Sequence, residues 1–269
     1  MSPKKLRHAD PGGAAHPPRM LLVHPGTLPV TAYERLAAEL TGVVLDVVDL
    51  SADRAYAHAG LDPRTPDPTL EDLADSVARR AASGGAVALL AGWSFGGLVA
   101  AVAAERTAPG TPLLLLDTVA PVSDVGAARD EVPRWFADYL GWRAGKPLPP
   151  PAGASWAGGL DELYEPALAA GALPPDTSRG GFRMLSRAYT AGLERNFRIA
   201  GAARAPRPVR AHLVKPGQGL VPKAPANGWE EFSDDLRVVD CSGDHYSMLT
   251  DTASVTTIAA EAMRLAGRE

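Results

Sequence analysis

Three short stretches of this chain carry residue types that could do acyl chemistry together. The first is Ala91-Gly92-Trp93-Ser94-Phe95-Gly96-Gly97. It follows an apolar run, Val87-Ala88-Leu89-Leu90, that reads as a buried strand, and precedes Leu98 to Ala104, which reads as a buried helix. A Gly-x-Ser-x-Gly between strand and helix predicts a turn so sharp that Gly92 and Gly96 sit where a Cβ would clash. The Ser94 hydroxyl would then stand above the sheet, and the Phe95 amide would face the oxygen of a bound acyl group.

A serine nucleophile needs a base, and the base needs an orienting acid. His8 and His16 lie in the N-terminal stretch, His58 in a Pro-rich loop and His212 inside a predicted strand. His24 follows the first strand and is better placed to shape the oxyanion loop. His245, in Gly243-Asp244-His245-Tyr246-Ser247-Met248-Leu249, lies between the last strand and the last helix. Loops at the carboxyl ends of parallel strands carry active sites, so His245 is the expected base. The loop Lys215 to Val221 offers no carboxylate, and Glu230 and Glu231 look helical. Asp117, at the end of Pro112-Leu113-Leu114-Leu115-Leu116, is the expected acid, with Asp124 in reserve. The oxyanion hole calls for two backbone donors: Phe95, and Gly26 or Thr27 in the stiff loop His24-Pro25-Gly26-Thr27-Leu28-Pro29.

The elements that must position these residues alternate. Strands are expected at Met20–Val23, Val43–Val48, Val87–Leu90, Pro112–Leu116, Val209–Val214 and Leu236–Val239. Helices are expected after Thr31-x-x-Glu34 (a capping box), after Thr69, after the elbow and from Ala253 to Leu265. Asp53 to Pro68 reads as a loop. Near-continuous apolar strands alternating with helices imply an α/β chain with a mostly parallel sheet flanked by helices on both faces. From about 121 to 205 no strand is expected; helical stretches at Glu131–Leu140, Leu160–Ala170 and Phe182–Ala203 suggest a lid insertion. Residues 1–18 read as a flexible tail or linker, and 19–269 as the folded domain.

The formal net charge of −4 over 269 residues gives no reason to expect nucleic acid. No apolar run approaches the ~20 residues of a membrane span, and no signal-peptide core opens the chain, so a cytoplasmic location is the default. The single cysteine, Cys241, excludes an internal disulfide and a Cys-based zinc site, and reads as a small buried residue. No metal cluster or nucleotide-binding glycine loop accompanies the motifs, and the chemistry needs no cofactor.

The Gly92-to-Gly97 elbow, the early Asp117 and the Gly243-to-Leu249 stretch together resemble the thioesterase domains that end nonribosomal peptide and polyketide synthases. The resemblance runs from about Met20 to the C-terminus and implies an α/β-hydrolase fold with a helical lid. It departs from that family at His24-Pro25-Gly26-Thr27, where a Gly-Gly pair is more usual. It implies that a peptide or polyketide chain arrives as a thioester on the phosphopantetheine arm of an acyl or peptidyl carrier protein. Ser94 would take the acyl group, and hydrolysis or macrocyclisation would release it. Lid aromatics (Trp135, Tyr139, Trp156 and others) would wall the site or form ordinary core. Arg183 and Arg187, four apart on one helical face, would steer an acidic carrier. The alternatives are a discrete editing thioesterase, a free-standing serine esterase, and a non-catalytic binding module. Editing enzymes usually carry His-Ser-Met-Gly at the elbow and a later acid, unlike this chain. A binding module has no need of Ser94, Asp117 and His245.

Overall fold

The computed structural model describes residues 17–61, 64–121, 129–150, 160–202, 210–233 and 235–267. Six strands form one sheet: β1 Arg19–His24, β2 Val44–Asp49, β3 Val87–Trp93, β4 Leu113–Leu116, β5 Arg210–Gln218 and β6 Asp235–Asp244. The order is β2-β1-β3-β4-β5-β6, and every pairing is parallel. Side chains alternate between the two faces, as strand geometry requires. Met20, Leu22, Leu89, Ala91, Trp93, Leu114 and Leu116 belong to one core; Leu21, Val23, Leu90, Leu113 and Leu115 belong to the other. Burying each Leu, Val or Met among them contributes about 1.5–3 kcal/mol, which is why these strands read as unbroken apolar runs.

Helices α1 Glu34–Glu39 and α8 Thr252–Leu265 cover the first face; α3 Leu70–Ala82 and α4 Phe95–Ala104 cover the second. Thr69 caps α3 with a reciprocal box: Thr69 Oγ1 accepts from the Asp72 amide at 3.1 Å, and Asp72 Oδ2 accepts from the Thr69 amide at 3.0 Å. The box expected at Thr31 does not form. Residues Val30–Tyr33 make a 3-10 turn whose first bond runs from the Ala32 amide to Pro29 O, so α1 starts without a side-chain cap. The loop expected from Asp53 to Pro68 contains a helix, α2 Arg54–Leu61. Asp53 caps it, Oδ1 accepting from the Ala55 and Tyr56 amides at 3.0 and 3.2 Å.

Between β4 and β5 the described residues hold three helices and no strand: α5 Val132–Ala144, α6 Tyr164–Ala170 and α7 Arg179–Ala202. Their apolar faces (Trp135, Phe136, Leu140, Phe182, Tyr189) join the first core beside Tyr246 and Met248. Asp124, Trp156 and residues 1–16 of the expected tail lie outside the described residues. Among those described, no helix is long and apolar enough to cross a membrane.

The chain runs from β1 outward to β2, then returns to lay β3 on the other side of β1. This reversal opens a crevice beyond the carboxyl ends of β1 and β3, the place where open parallel sheets bind ligands. His24 ends one strand and Trp93 the other.

Candidate active site

Ser94 sits directly after β3 with φ 55 and ψ −133, a conformation that residues with a Cβ rarely adopt. Two backbone bonds hold it there: its amide donates to Leu116 O and its carbonyl accepts from the Gly97 amide, each at 3.0 Å. A Cβ on Gly92 would strike Gly96 O and Gly97 Cα, and one on Gly96 would strike Val23 O. Glycine is therefore a steric requirement on both sides of the serine. Phe95 opens α4, where the first amides have no partner within the helix and the helix dipole favours negative charge.

Asp117 follows β4 and His245 follows β6; the sheet brings them together across 128 residues. Asp117 Oδ2 lies 2.8 Å from His245 Nδ1 and accepts the Leu220 amide at 2.9 Å, while Oδ1 accepts Asn227 Nδ2 at 3.0 Å. The carboxylate is fully buried and φ at Asp117 is +41, a region Asp tolerates better than most residues. With Nδ1–H turned to the acid, a neutral His245 presents Nε2 as an acceptor. Its ring stacks on Trp93 at 4.6 Å, and Trp93 Nε1 donates to His245 O at 3.1 Å. No hydrogen bond joins Ser94 Oγ to His245 among the described residues, a contact that commonly tightens only as substrate binds.

Gly26 and Thr27 follow β1. His24 braces their loop, Nε2 donating to Leu28 O at 2.7 Å and Nδ1 accepting from Tyr33 O–H at 2.9 Å. Burial lowers the His24 pKa, against a smaller opposing effect of the Leu28 bond and Asp49, which keeps the ring neutral as this bonding requires. Gly26 has φ +87, and a Cβ there would meet Ser51 Cβ at 2.6 Å. No carbonyl accepts the Gly26 or Thr27 amide among the described residues. A cavity of about 380 Å³ is lined by Gly26, Thr27, Tyr56, Tyr139 and Tyr189, among others; a larger one, about 1140 Å³, lies between Pro29, Tyr139, Trp142 and Leu173.

Several groups around these residues carry no local sequence signal. Asn227 and the Leu220 amide come from loops far along the chain. Lys215, 6% exposed, donates from Nζ to Val221 O at 3.0 Å and also to Ala224 O, fastening the Leu220 loop. Arg134 of α5 donates to Gly219 O and Leu220 O at 3.1 and 2.9 Å. Trp93 is the variable position of Gly-x-Ser, so the motif itself does not mark it. The remaining candidates lie elsewhere. His212 pairs with Glu261 at 2.6 Å, and Glu230 is exposed in the 3-10 turn Trp229–Glu231. Cys241 is half-buried rather than buried; desolvation pushes its thiol up to about 11, so it is no nucleophile at neutral pH. Among the described residues no cluster of His, Cys, Asp and Glu could hold a metal.

Asp138 of α5 is raised from 3.8 to about 7, first by burial, then by the charge of Asp244, with Arg134 opposing. A carboxyl whose folded pKa lies above its unfolded value makes the folded state bind more protons. Its contribution is therefore favourable below pH 3.8 and is lost as pH rises through about 7. Asp138→Asn should remove this fall. Subtracting melting curves of the variant from those of the parent across that window should show the parent losing ground. A flat difference would return Asp138 to an ordinary solvated carboxylate.

The fold is similar to that of solved thioesterase domains. No family model and no curated protein sequence matches the chain. Solved structures do. Over 92% of this chain a four-domain nonribosomal peptide synthetase matches with 24% identity and a TM-score of 0.62; this chain spans 19% of that one. The NocB thioesterase domain from the nocardicin cluster matches over 95% of this chain and 96% of its own, at 22% identity and TM-score 0.54. The RedJ thioesterase from the prodiginine biosynthetic pathway of Streptomyces coelicolor matches over 99% and 92%, at 19% identity and TM-score 0.59. At these identities the likeness is one of fold.

Proposed function

We propose that the chain is a serine thioesterase that releases a peptide or polyketide from the phosphopantetheine arm of a carrier protein through an acyl-Ser94 intermediate. The observation that carries this reading is the buried Asp117–His245 pair at 2.8 Å, at the same end of the sheet as the strained Ser94. In the first half-reaction His245 Nε2 takes the Ser94 proton as Oγ attacks the thioester carbon. Charge develops on the thioester oxygen, facing the amides of Phe95 and of Gly26 or Thr27. The imidazolium, stabilised by Asp117, gives its proton to the departing thiolate. In the second half-reaction His245 deprotonates water, releasing an acid, or a hydroxyl or amine of the chain, releasing a ring. The inserted helices act as the lid that controls which nucleophile enters. The chemistry asks for no cofactor beyond the carrier's arm.

The test compares kcat/KM for a carrier-bound thioester with that for a small soluble ester. A large preference for the carrier substrate supports the reading. A preference for the soluble ester would make the chain a free-standing esterase. Pairing narrows the arginine surface available to a carrier. Arg183 is held by Asp161 at 2.6 Å and Arg179 by Glu165 at 2.5 Å, so the steering role is carried by Arg187. Arg187→Gln, at a residue that forms neither pair, should slow the carrier reaction severalfold at low salt and much less once charges are screened over ~8–10 Å. Hydrolysis of the soluble substrate should not change. Equal slowing of both would give Arg187 a role in the lid fold instead.

A further inference from the structure

Tyr56 touches Phe95 and the carbonyl of the Pro25–Gly26 peptide, the two places from which the proposed mechanism aims amides at the oxyanion, yet no step above uses it. It lies on α2 and is 1% exposed. Its O–H donates to Pro25 O at 3.1 Å, and its ring stacks parallel with Phe95, centroids 6.2 Å apart. No peptide bond in the described chain is cis. In a planar trans peptide the Pro25 carbonyl and the Gly26 N–H point in opposite directions. A phenol that fixes the carbonyl therefore fixes the line of the amide, and Gly26, at φ +87, has the backbone freedom to lose that line otherwise.

The helix α7 holds the phenol in turn. Tyr56 Oη lies 2.7 Å from the Asn196 side-chain oxygen. A phenol has one proton for these two acceptors. With the Asn196 amide turned so that Nδ2 faces the phenol oxygen, both contacts are met: Asn196 donates to Tyr56 Oη, and Tyr56 donates to Pro25 O. Arg195 lies 3.6 Å above the Tyr56 ring and donates from Nη1 to Tyr56 O at 3.2 Å. Burial raises the phenol's pKa, so it stays a donor at any working pH.

We propose that Tyr56 is a positioning residue for the oxyanion hole, which it aims by holding the Pro25–Gly26 peptide, and that α7 sets Tyr56 through Arg195 and Asn196. The proposal rests on the acyl-Ser94 reading and adds to it a link between lid position and catalytic competence. When α7 lifts, Tyr56 loses its outer partners and the Gly26 amide loses its aim. The site then becomes active only when covered.

The test is Tyr56→Phe, which keeps the ring contacts with Phe95 and Arg195 and removes only the hydroxyl. On a small soluble thioester, kcat should fall about 10–100-fold, the scale on which misplaced groups act, with KM held within about twofold. Asn196→Leu should lower kcat in the same direction and by less. An unchanged kcat in Tyr56→Phe, or a KM rise at constant kcat, would overturn the proposal. Should that variant fail to fold, Asn196→Leu decides, and full kcat there overturns it. Fluorophosphonate labelling of the unaltered protein separates the two claims. If Ser94 labels while Tyr56→Phe retains full kcat, this inference alone is lost. If Ser94 does not label, the acyl-enzyme reading falls and takes this one with it.

Discussion

Ser94→Ala should lower turnover of every acyl substrate by at least about 10⁴-fold, because loss of a serine nucleophile elsewhere costs up to about 10⁶ in kcat. The fold should survive. Ser94 Oγ makes no hydrogen bond among the described residues, and alanine meets the same backbone demand, φ 55 and ψ −133, with the same Cβ. The two bonds that hold the turn, from the Ser94 amide to Leu116 O and from the Gly97 amide to Ser94 O, involve backbone only. Melting temperature should therefore stay within a few degrees, as for a surface substitution worth no more than about 0.5 kcal/mol. Parent-like activity in the alanine variant, or a large drop in its melting temperature, would contradict this account of the elbow.

Asp117→Asn should be nearly as damaging, about 10⁴-fold in kcat, since an amide can leave the imidazole in the wrong tautomer. The geometry says why. Asp117 accepts three donors: His245 Nδ1 and the Leu220 amide on Oδ2, and Asn227 Nδ2 on Oδ1. An asparagine must turn its NH₂ toward one of these sets. Facing Asn227, its NH₂ opposes the Asn227 Nδ2 donor; facing His245, it forces the proton to Nε2 and opposes the Leu220 amide. Either way a buried donor is stranded, a penalty of about 1–3 kcal/mol in stability. The backbone is not the cause, because Asn accepts φ +41 as readily as Asp. Glu230→Gln, at an exposed position, should leave both activity and melting temperature unchanged. Comparing the two variants by kcat and by thermal melt checks the prediction. Equal losses in both would remove Asp117 from the mechanism.

The features legible in the sequence are those set by local rules. Strand alternation was readable because both faces of the sheet are covered, so runs such as Met20–Val23 and Leu113–Leu116 are apolar at every position. Thr69 and Asp72 announce a helix start three residues apart, and the glycines around Ser94 announce a turn. Thr31 and Glu34 carry the same cap pattern without the outcome, because the chain tightens into a 3-10 turn after Pro29 and leaves the threonine nothing to cap. Helix α2 was hidden by the prolines at 63, 66 and 68, although Asp53 ahead of Arg54-Ala55-Tyr56-Ala57 was a usable cap signal.

The support around the site was not legible because it depends on long-range meetings. Asn227 reaches Asp117 across 110 residues, Leu220 across 103, and Asn196 reaches Tyr56 across 140. Nothing local at Trp93 says that it will carry the His245 ring; only the parallel sheet, which brings β6 to the end that β3 also reaches, makes that contact. His24 was readable as a loop-shaping residue from its place after β1, but the partners it uses, Leu28 O and Tyr33, were not. Of the two arginines expected to present positive charge, Arg183 spends its charge on Asp161; in the same inserted helix Arg179 pairs with Glu165 and Arg198 with Asp67, partners that no local pattern shows.

The central claim is that Ser94 carries the acyl group, and intact mass spectrometry tests it most directly. The protein is treated with a fluorophosphonate, or with a slowly released thioester, then weighed and digested. The account predicts one adduct per chain, mapped to the peptide containing Ser94, absent from Ser94→Ala and formed far more slowly in Asp117→Asn. An adduct on another residue, or the same adduct in Ser94→Ala, would contradict it.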